Sequence, residues 1–113
     1  LELLGDTVPF GTDLIFESAS GLAIAAEICE DLWVAQPPAT AAAAAGANVI
    51  VNLSASNETA GKAKFRRELV RLQSARSMCA YVYVSRQRIW FSPDTCSRPP
   101  AGASRRNPFG RPA

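Results

Sequence analysis

Apolar residues in the range 1–85 fall in short runs separated by turn-forming residues, and this alternation predicts strands and helices in a regular order. Residues 12–17 and 22–28 predict two strands, and the short turn between them favours a hairpin. Residues 47–53 and 80–85 predict two more strands, because both runs are apolar and rich in β-favouring side chains. The run 22–28 is almost continuously apolar, which is typical of a strand buried on both faces.

Two segments between these strands predict helices. Pro37 and Pro38 precede an alanine-rich segment over residues 39–45, which Gly46 ends. A longer helix is predicted from about residue 61 to residue 77. The resulting order β-β-α-β-α-β indicates an α/β fold, in which helices connect the strands across a face of the sheet.

The longer helix is predicted to be amphipathic. Phe65, Leu69 and Leu72 recur at helical spacing, followed by Ala75 or Arg76, and should form the buried face. Its basic residues are predicted to lie mostly on the solvated faces: Lys62, Lys64, Arg66, Arg67, Arg71 and Arg76. No aromatic platform is interleaved with them, so we expect no nucleic-acid partner.

Residues 86–113 differ from the rest of the chain in composition and charge. They hold six arginines, one acidic residue and five prolines, whereas residues 1–85 hold nine acidic and six basic side chains. Prolines at this density forbid a long helix or a central strand. We therefore divide the chain into a folded part, residues 1–85, and a basic tail, residues 86–113, that we expect to be disordered.

Composition excludes several classes of protein. The 113 residues are 48% apolar and 19% charged, which suits one small soluble domain. No apolar run is long enough to cross a bilayer and no signal peptide opens the chain, so we expect no membrane partner. The chain starts at Leu1 with a sequence typical of a domain interior, so we expect an earlier part to be missing.

The chain has three cysteines and no histidine. The spacings of Cys29, Cys79 and Cys96 match no metal-binding or redox motif, which predicts a reducing, cytoplasmic environment. The lack of histidine excludes Cys-His and Ser-His catalysis and most zinc sites. A nucleophilic cysteine would therefore need its base and its cation from other residue types.

Cys29 is the candidate nucleophile. It directly follows the strand 22–28, and ligand sites of α/β sheets gather at the carboxyl ends of strands. The polar loop 54–57 likewise follows the carboxyl end of a strand, so Cys29 and this loop could line the same binding site. A cysteine attacks as its thiolate, a form that the neighbouring acids Glu27 and Glu30 alone would disfavour. Taken alone, a cysteine at a strand end is more often a buried, inert side chain.

Several ordered sequence blocks resemble one family. Residues 27–33 (Glu-Ile-Cys-Glu-Asp-Leu-Trp) resemble the nucleophile motif of the nitrilase superfamily of carbon–nitrogen hydrolases. Residues 8–13 precede this motif, and residues 52–58 (Asn-Leu-Ser-Ala-Ser-Asn-Glu) and 73–83 follow it. Together they most resemble the glutaminase domain of glutamine-dependent NAD synthetases, over residues 6–85. The resemblance implies part of the αββα sandwich of nitrilase-like amidases.

The resemblance implies roles for four residues. Cys29 would be the nucleophile that forms a thioester with the side chain of glutamine. Ser56 and Lys62 match positions that bind the glutamine substrate, and Glu30, next to the nucleophile, is a further candidate for that site. From the residues alone, Ser56 could simply close a turn and Lys62 could be a solvated residue in the first helical turn.

In this family a Glu and a Lys that precede the nucleophile motif complete the catalytic triad. No lysine precedes Cys29 here, so we expect both partners outside this chain, which alone should be inactive. The resemblance also implies a separate synthetase domain that uses ATP and magnesium to amidate deamido-NAD, and a homo-oligomer in the intact protein. No cofactor is expected in this chain. The alternatives are a fragment of a stand-alone nitrilase-type amidase and a catalytically inactive truncated protein.

After residue 85 the sequence departs from the family's pattern. One GC-rich back-translation of residues 86–97, read two bases later, gives a continuation like that of the family. We therefore hypothesise that the tail is a frame-shifted translation, and the alternative is an ordinary disordered, basic terminus. Re-sequencing the DNA around codons 84–88 tests this, because a read without an insertion or deletion defeats the hypothesis.

Overall fold

The computed structural model describes residues 1–57 and 59–85, together with the backbone of residues 89–92. This part contains the strands β1 (Glu2–Leu3), β2 (Asp6–Thr7), β3 (Ile15–Glu17), β4 (Ala23–Ile28), β5 (Val49–Ser54), β6 (Ala80–Ser85) and β7 (Ile89–Ser92). Its helices are α1 (Pro38–Ala44) and α2 (Lys62–Ser77), and a 3₁₀ helix spans Cys29–Trp33. No described helix is long and apolar enough to cross a bilayer.

The main sheet has the strand order β3-β4-β5-β6-β7. Strands β4, β5 and β6 are parallel and are connected by α1 and α2, while β3 forms an antiparallel hairpin with β4. The predicted α/β fold, the order β-β-α-β-α-β and the hairpin are therefore confirmed. Pro38 at the start of α1 and the left-handed Met78 at the end of α2 fix helix ends close to those predicted.

Three strands were not predicted. β1 and β2 form a separate two-stranded sheet, which is too short for a clear apolar pattern. β7 pairs antiparallel with β6, so the prediction of a disordered tail from residue 86 onward is wrong for Ile89–Ser92. The backbone of β6 provides a free sheet edge, and Ile-Trp-Phe is a β-favouring sequence that can use it. Residues 86–88 and 93–113 lie outside the described residues.

The two faces of the parallel strands differ in chemistry. On the face that the helices cover, Ala25, Ile50 and Tyr81 lie in register and are at most 4% exposed, so they form the centre of the core. The next row on the same face is polar, because Glu27 pairs with Asn52 and Asn52 pairs with Tyr83. This polar row lies one or two residues before the carboxyl ends of β4, β5 and β6.

The opposite face of the sheet is apolar and partly open. Ile28 and Leu53 are neighbours in register on this face and are 66% and 52% exposed. An exposed apolar sheet face needs a partner layer to leave water. In the sandwich that the resemblance implies, this is the face that a second sheet would cover.

Helix α2 uses only part of the face that was predicted, because Leu69 packs against the core but Phe65 and Leu72 do not. Phe65 and Leu72 are 60% and 64% exposed, whereas the buried residues of the helix are Arg66, Val70, Gln73 and Ser74. The guanidinium carbon of Arg66 lies 5.2 Å from the centre of the Tyr83 ring, so the predicted solvation of Arg66 is also wrong. The cause is the polar row of the sheet, which offers aromatic and hydrogen-bonding groups to a cationic side chain.

Candidate active site

Cys29 lies in a tight turn at the carboxyl end of β4. Its backbone has a φ of +48°, a left-handed conformation that non-glycine residues rarely adopt. The turn continues into the 3₁₀ helix Cys29–Trp33, and Asp31 Oδ2 accepts a hydrogen bond of 2.8 Å from the backbone N–H of Ile28. Such strain costs on the order of 1–3 kcal/mol and persists where surrounding contacts enforce it.

The sulfur of Cys29 contacts a chain of hydroxyl groups. Ser54, the last residue of β5, donates a hydrogen bond of 3.4 Å from Oγ to Cys29 Sγ. Ser54 Oγ in turn accepts a bond of 2.6 Å from the Tyr83 hydroxyl and one of 3.3 Å from the backbone N–H of Ser56. The predicted proximity of Cys29 and the loop 54–57 is therefore confirmed.

The buried carboxylate of Glu27 supports the turn that contains Cys29. Glu27 is 2% exposed, and its oxygens accept hydrogen bonds from the Ala39 backbone N–H at 3.0 Å and from Asn52 Nδ2 at 3.2 Å. The Tyr81 hydroxyl also donates to Glu27. Asn52 Nδ2 further reaches the backbone carbonyl of Cys29 at 3.4 Å. Glu27 therefore joins β4, β5, β6 and the first turn of α1 at the base of the nucleophile turn.

The environment of Tyr81 strongly favours its neutral phenol. Burial, and next the hydrogen bond to the Glu27 carboxylate, raise the pKa of Tyr81 well above its ordinary value. A neutral phenol can donate to the carboxylate, whereas a phenolate would place two negative charges in contact. The hydrogen bond between Tyr81 and Glu27 therefore depends on the phenol proton.

We expect the folded part of the chain, residues 1–85, to lose stability as the pH rises above about 10. In the unfolded chain the Tyr81 phenol ionises near its ordinary pKa, whereas the folded protein retains that proton to higher pH. The stabilisation is thus complete below the ordinary pKa and falls by about 1.4 kcal/mol per pH unit above it. Urea unfolding at several alkaline pH values should show this slope, and Tyr81→Phe should reduce it. Equal slopes in both proteins would contradict the expectation.

The predicted substrate-binding residues lie around the same edge of the sheet. Glu30 Oε1 is 4.0 Å from Cys29 Sγ, and the backbone of Ser56 is joined to that sulfur through Ser54. The Ser56 hydroxyl itself donates to the Asn57 carbonyl at 3.3 Å.

Lys62 starts helix α2 beside the same loop. Its Nζ donates to Asn57 Oδ1 at 3.1 Å and lies 5.7 Å from the centre of the Trp33 ring. Trp33 also stacks on Phe65, with ring centres 5.6 Å apart. The structure therefore brings Glu30 and the Ser56 backbone close to the thiol, and it holds Lys62 against the loop and the aromatic pair.

The resemblance implies that ATP and magnesium bind to a separate synthetase domain, so a metal cluster among the described residues would be unexpected. In the described ranges, no three acidic or cysteine side chains are grouped so that they could hold a metal ion. The chemistry of this edge of the sheet rests on its thiol, hydroxyl, carboxylate and ammonium groups.

Sequence reasoning missed Asn52, Ser54, Glu27 and the two tyrosines of β6 as parts of this arrangement. Each is a polar group within a strand that is otherwise apolar, and such a strand is normally buried on both faces. Polar side chains in buried strands need hydrogen-bond partners, so their shared period of two could have indicated that they lie on one face of the sheet.

Comparison with known proteins identifies homologues that share one name. Over 83 residues the chain is 49% identical to the glutamine-dependent NAD(+) synthetase of Mycobacterium tuberculosis, which corresponds to 72% of this chain. Over 85 residues it is 49% identical to the enzyme of the same name from Mycobacterium leprae, or 73% of this chain. The chain spans 12% of the length of each of these curated relatives. No family model matches it.

A solved structure agrees with the sequence relatives. The crystal structure of a glutamine-dependent NAD(+) synthetase from Cytophaga hutchinsonii superposes with a TM-score of 0.52 and 33% sequence identity. The match covers 65% of this chain and 11% of that one. The resemblance predicted from the sequence is therefore confirmed, and the chain corresponds to a small part of the proteins it resembles.

Proposed function

We propose that this chain, a homologue of one part of the glutamine-dependent NAD(+) synthetases, carries the nucleophile that releases ammonia from glutamine in such an enzyme. The observation that carries the proposal is the position of Cys29. Its thiol follows a buried parallel strand, sits in a left-handed turn and lies 3.4 Å from a hydroxyl donor. An inert structural cysteine such as Cys79, which is 2% exposed, needs neither the strained turn nor the access to solvent.

The proposed reaction has two covalent steps. The Cys29 thiolate forms a bond to the side-chain amide carbon of glutamine, and the carbonyl π electrons move to oxygen. When that pair returns, the carbon–nitrogen bond breaks and nitrogen leaves as ammonia after taking up a proton, which gives a γ-glutamyl thioester. Water then adds to the thioester, the carbon–sulfur bond breaks, and glutamate and the thiol are regenerated. The balance is glutamine plus water to glutamate plus ammonia.

The charges around the thiol suit the zwitterionic end of glutamine. Lys62 supplies an ammonium group at the loop 54–57, and such a group can bind the substrate α-carboxylate. Glu30 supplies a carboxylate 4.0 Å from the sulfur, where it can accept hydrogen bonds from the substrate α-ammonium. The hydroxyl of Ser56 belongs to the same loop as Asn57, the partner of Lys62, and it can bind either group. Together the three side chains would orient the amide carbon toward Cys29.

Under this proposal, the remaining catalytic groups belong to polypeptide outside this chain. A glutamate base and a lysine cation, which the family places before the nucleophile motif, would accept the thiol proton and stabilise the developing oxyanion. Without them this chain alone would be inactive. The ammonia would pass to a synthetase part that binds ATP and magnesium. A cytoplasmic setting is part of the proposal, because the spacings of the three cysteines match no metal-binding or redox motif.

Covalent labelling tests the proposal directly. The intact protein, meaning the polypeptide that the complete gene encodes, is treated with the glutamine analogue 6-diazo-5-oxo-norleucine and mapped by peptide mass spectrometry. We expect the label on Cys29, with protection by excess glutamine, because the analogue enters the glutamine site and alkylates its nucleophile. Cys79 serves as the internal control. Label on Cys79 at the same rate, or no protection by glutamine, would contradict the proposal.

Replacing Lys62 with alanine is expected to weaken glutamine binding. Loss of one charge-assisted hydrogen bond to the substrate should raise KM by roughly 10-fold to 100-fold, with kcat nearly unchanged. Lys64→Ala is the matched control, because Lys64 lies on the same helix and is exposed. Steady-state ammonia release from the intact protein measures both constants. Equal KM values for the two variants would remove Lys62 from the proposed substrate site.

A further inference from the structure

The hydrogen-bonding capacity of Ser54 fixes where its proton points. A serine hydroxyl has one hydrogen to donate and two lone pairs to accept. The backbone N–H of Ser56 can only donate, and it uses one lone pair at 3.3 Å. The Tyr83 phenol uses the other at 2.6 Å. The single hydrogen of Ser54 is therefore committed to the third neighbour, Cys29 Sγ, at 3.4 Å.

We propose that Ser54 is a further catalytic residue, which binds the ionised sulfur of Cys29 through its hydroxyl hydrogen. This inference rests on the proposed glutamine hydrolysis and assigns one more group that touches a reacting atom. A hydrogen bond to a charged acceptor is stronger than one to a neutral acceptor, so the contact favours thiolate over thiol. A thiol also accepts hydrogen bonds only weakly, which widens the difference between the two forms.

The surroundings of Ser54 reinforce this preference. Its donor strength is raised by the Tyr83 phenol, because hydrogen bonds in a chain polarise one another. The Arg66 guanidinium lies over the Tyr83 ring at 5.2 Å, where a cation draws electron density from the phenol and makes its hydroxyl a better donor. The carboxylate of Glu30 acts in the opposite sense, since it lies 4.0 Å from the sulfur and repels a negative charge there. The hydrogen bond from the Ser54 hydroxyl to the sulfur offsets that repulsion.

Ser54 contributes at two points of the reaction. Before attack it holds Sγ in one position at the mouth of the site and increases the fraction of protein that carries the nucleophilic thiolate. When water has added to the thioester, the carbon–sulfur bonding pair returns to sulfur and the thiolate leaves. The hydroxyl then stabilises the charge that develops on the departing sulfur.

The test compares Ser54→Ala with Ser54→Thr in the intact protein. Ser54→Ala removes the donor, so kcat for glutamine hydrolysis should fall by roughly 10-fold to 100-fold with KM changed by less than about threefold. Ser54→Thr keeps a hydroxyl and should retain most of the activity. Alkylation of Cys29 by iodoacetamide without glutamine gives a second readout, and Ser54→Ala should slow it by about the same factor. A purely structural loss would raise KM as well as lower kcat, and threonine would not restore the activity.

Tyr83→Phe keeps the inference testable if Ser54→Ala does not fold. It retains the aromatic ring under Arg66 but removes the donor to Ser54, so alkylation of Cys29 should slow by a smaller factor, about threefold to 10-fold. Wild-type rates in Ser54→Ala, or in Tyr83→Phe, would overturn the role of Ser54. A different result would contradict the proposed function itself, namely glutamine hydrolysis that persists in Cys29→Ala.

Discussion

Glutamine hydrolysis by the intact protein is expected to fall by about 10⁴-fold or more when Cys29 is replaced by alanine, because the proposed thioester forms on its thiol. The neighbouring hydroxyl of Ser54 cannot form a thioester, and its two lone pairs still accept hydrogen bonds from Ser56 and Tyr83 in this variant. Initial rates of ammonia release at saturating glutamine measure the effect. The left-handed turn at Cys29 tolerates alanine no worse than cysteine, so a loss of fold is not expected.

Two controls separate chemistry from folding in that experiment. Cys79→Ser keeps a donor to the Ala47 carbonyl, which Cys79 Sγ reaches at 3.0 Å, and should leave hydrolysis within about threefold of wild type. NAD formation supplied with free ammonia should be unchanged in Cys29→Ala, because that reaction bypasses the thioester. Hydrolysis retained in Cys29→Ala, or lost equally in Cys79→Ser, would contradict a nucleophilic role for Cys29.

Replacing Glu27 with alanine is expected to destabilise this segment by about 3–5 kcal/mol. The carboxylate accepts hydrogen bonds from Ala39 N, Asn52 Nδ2 and the Tyr81 hydroxyl, and all three donors would lose a buried acceptor together. The cavity left by the side chain adds to the cost. Since Asn52 also holds the Cys29 carbonyl, the nucleophile turn should loosen as well.

The loss of stability is measured by unfolding the intact protein in denaturant and monitoring residues 1–85 by limited proteolysis. Glu68→Ala is the matched control, because Glu68 lies on the exposed side of α2 and its removal should change stability by less than about 0.5 kcal/mol. If Glu27→Ala unfolds at the same denaturant concentration as Glu68→Ala, the buried network does not stabilise the turn.

The sequence predicted the parts of the fold that depend on local pattern. The apolar runs 22–28 and 47–53 correspond to β4 and β5. Pro38 begins α1, and Gly46 follows its end. Cys29 fell at a strand end because the motif that contains it directly follows an apolar run. These features depend on neighbours in the chain, so periodicity and turn chemistry suffice to predict them.

The features that depend on distant partners could not be predicted in the same way. Arg66 was assigned to solvent because a charged residue on a helix usually lies there, but its place over Tyr83 depends on a strand that follows in the sequence. Glu27 was treated only as an acid beside a thiol, because its donors come from Ala39, Asn52 and Tyr81. Tertiary contacts of this kind override local propensity.

The roles of Ser56, Lys62 and Glu30 in binding glutamine stay predictions. Their positions suit that role, because a cation, an anion and a hydroxyl lie along one edge of the sheet next to a thiol. Each also has a bond that a purely structural residue could make, as with Lys62 and Asn57. Kinetic constants of the variants, rather than further geometry, separate the two possibilities.

The most direct measurement is to trap the covalent intermediate. The intact protein is mixed with glutamine, quenched in acid during turnover, and digested for mass spectrometry. A peptide that contains Cys29 and has gained the mass of one γ-glutamyl group is the expected result, with none on the corresponding peptide of Cys29→Ala. Steady glutamine turnover with Cys29 unmodified and the adduct on another residue would contradict the account.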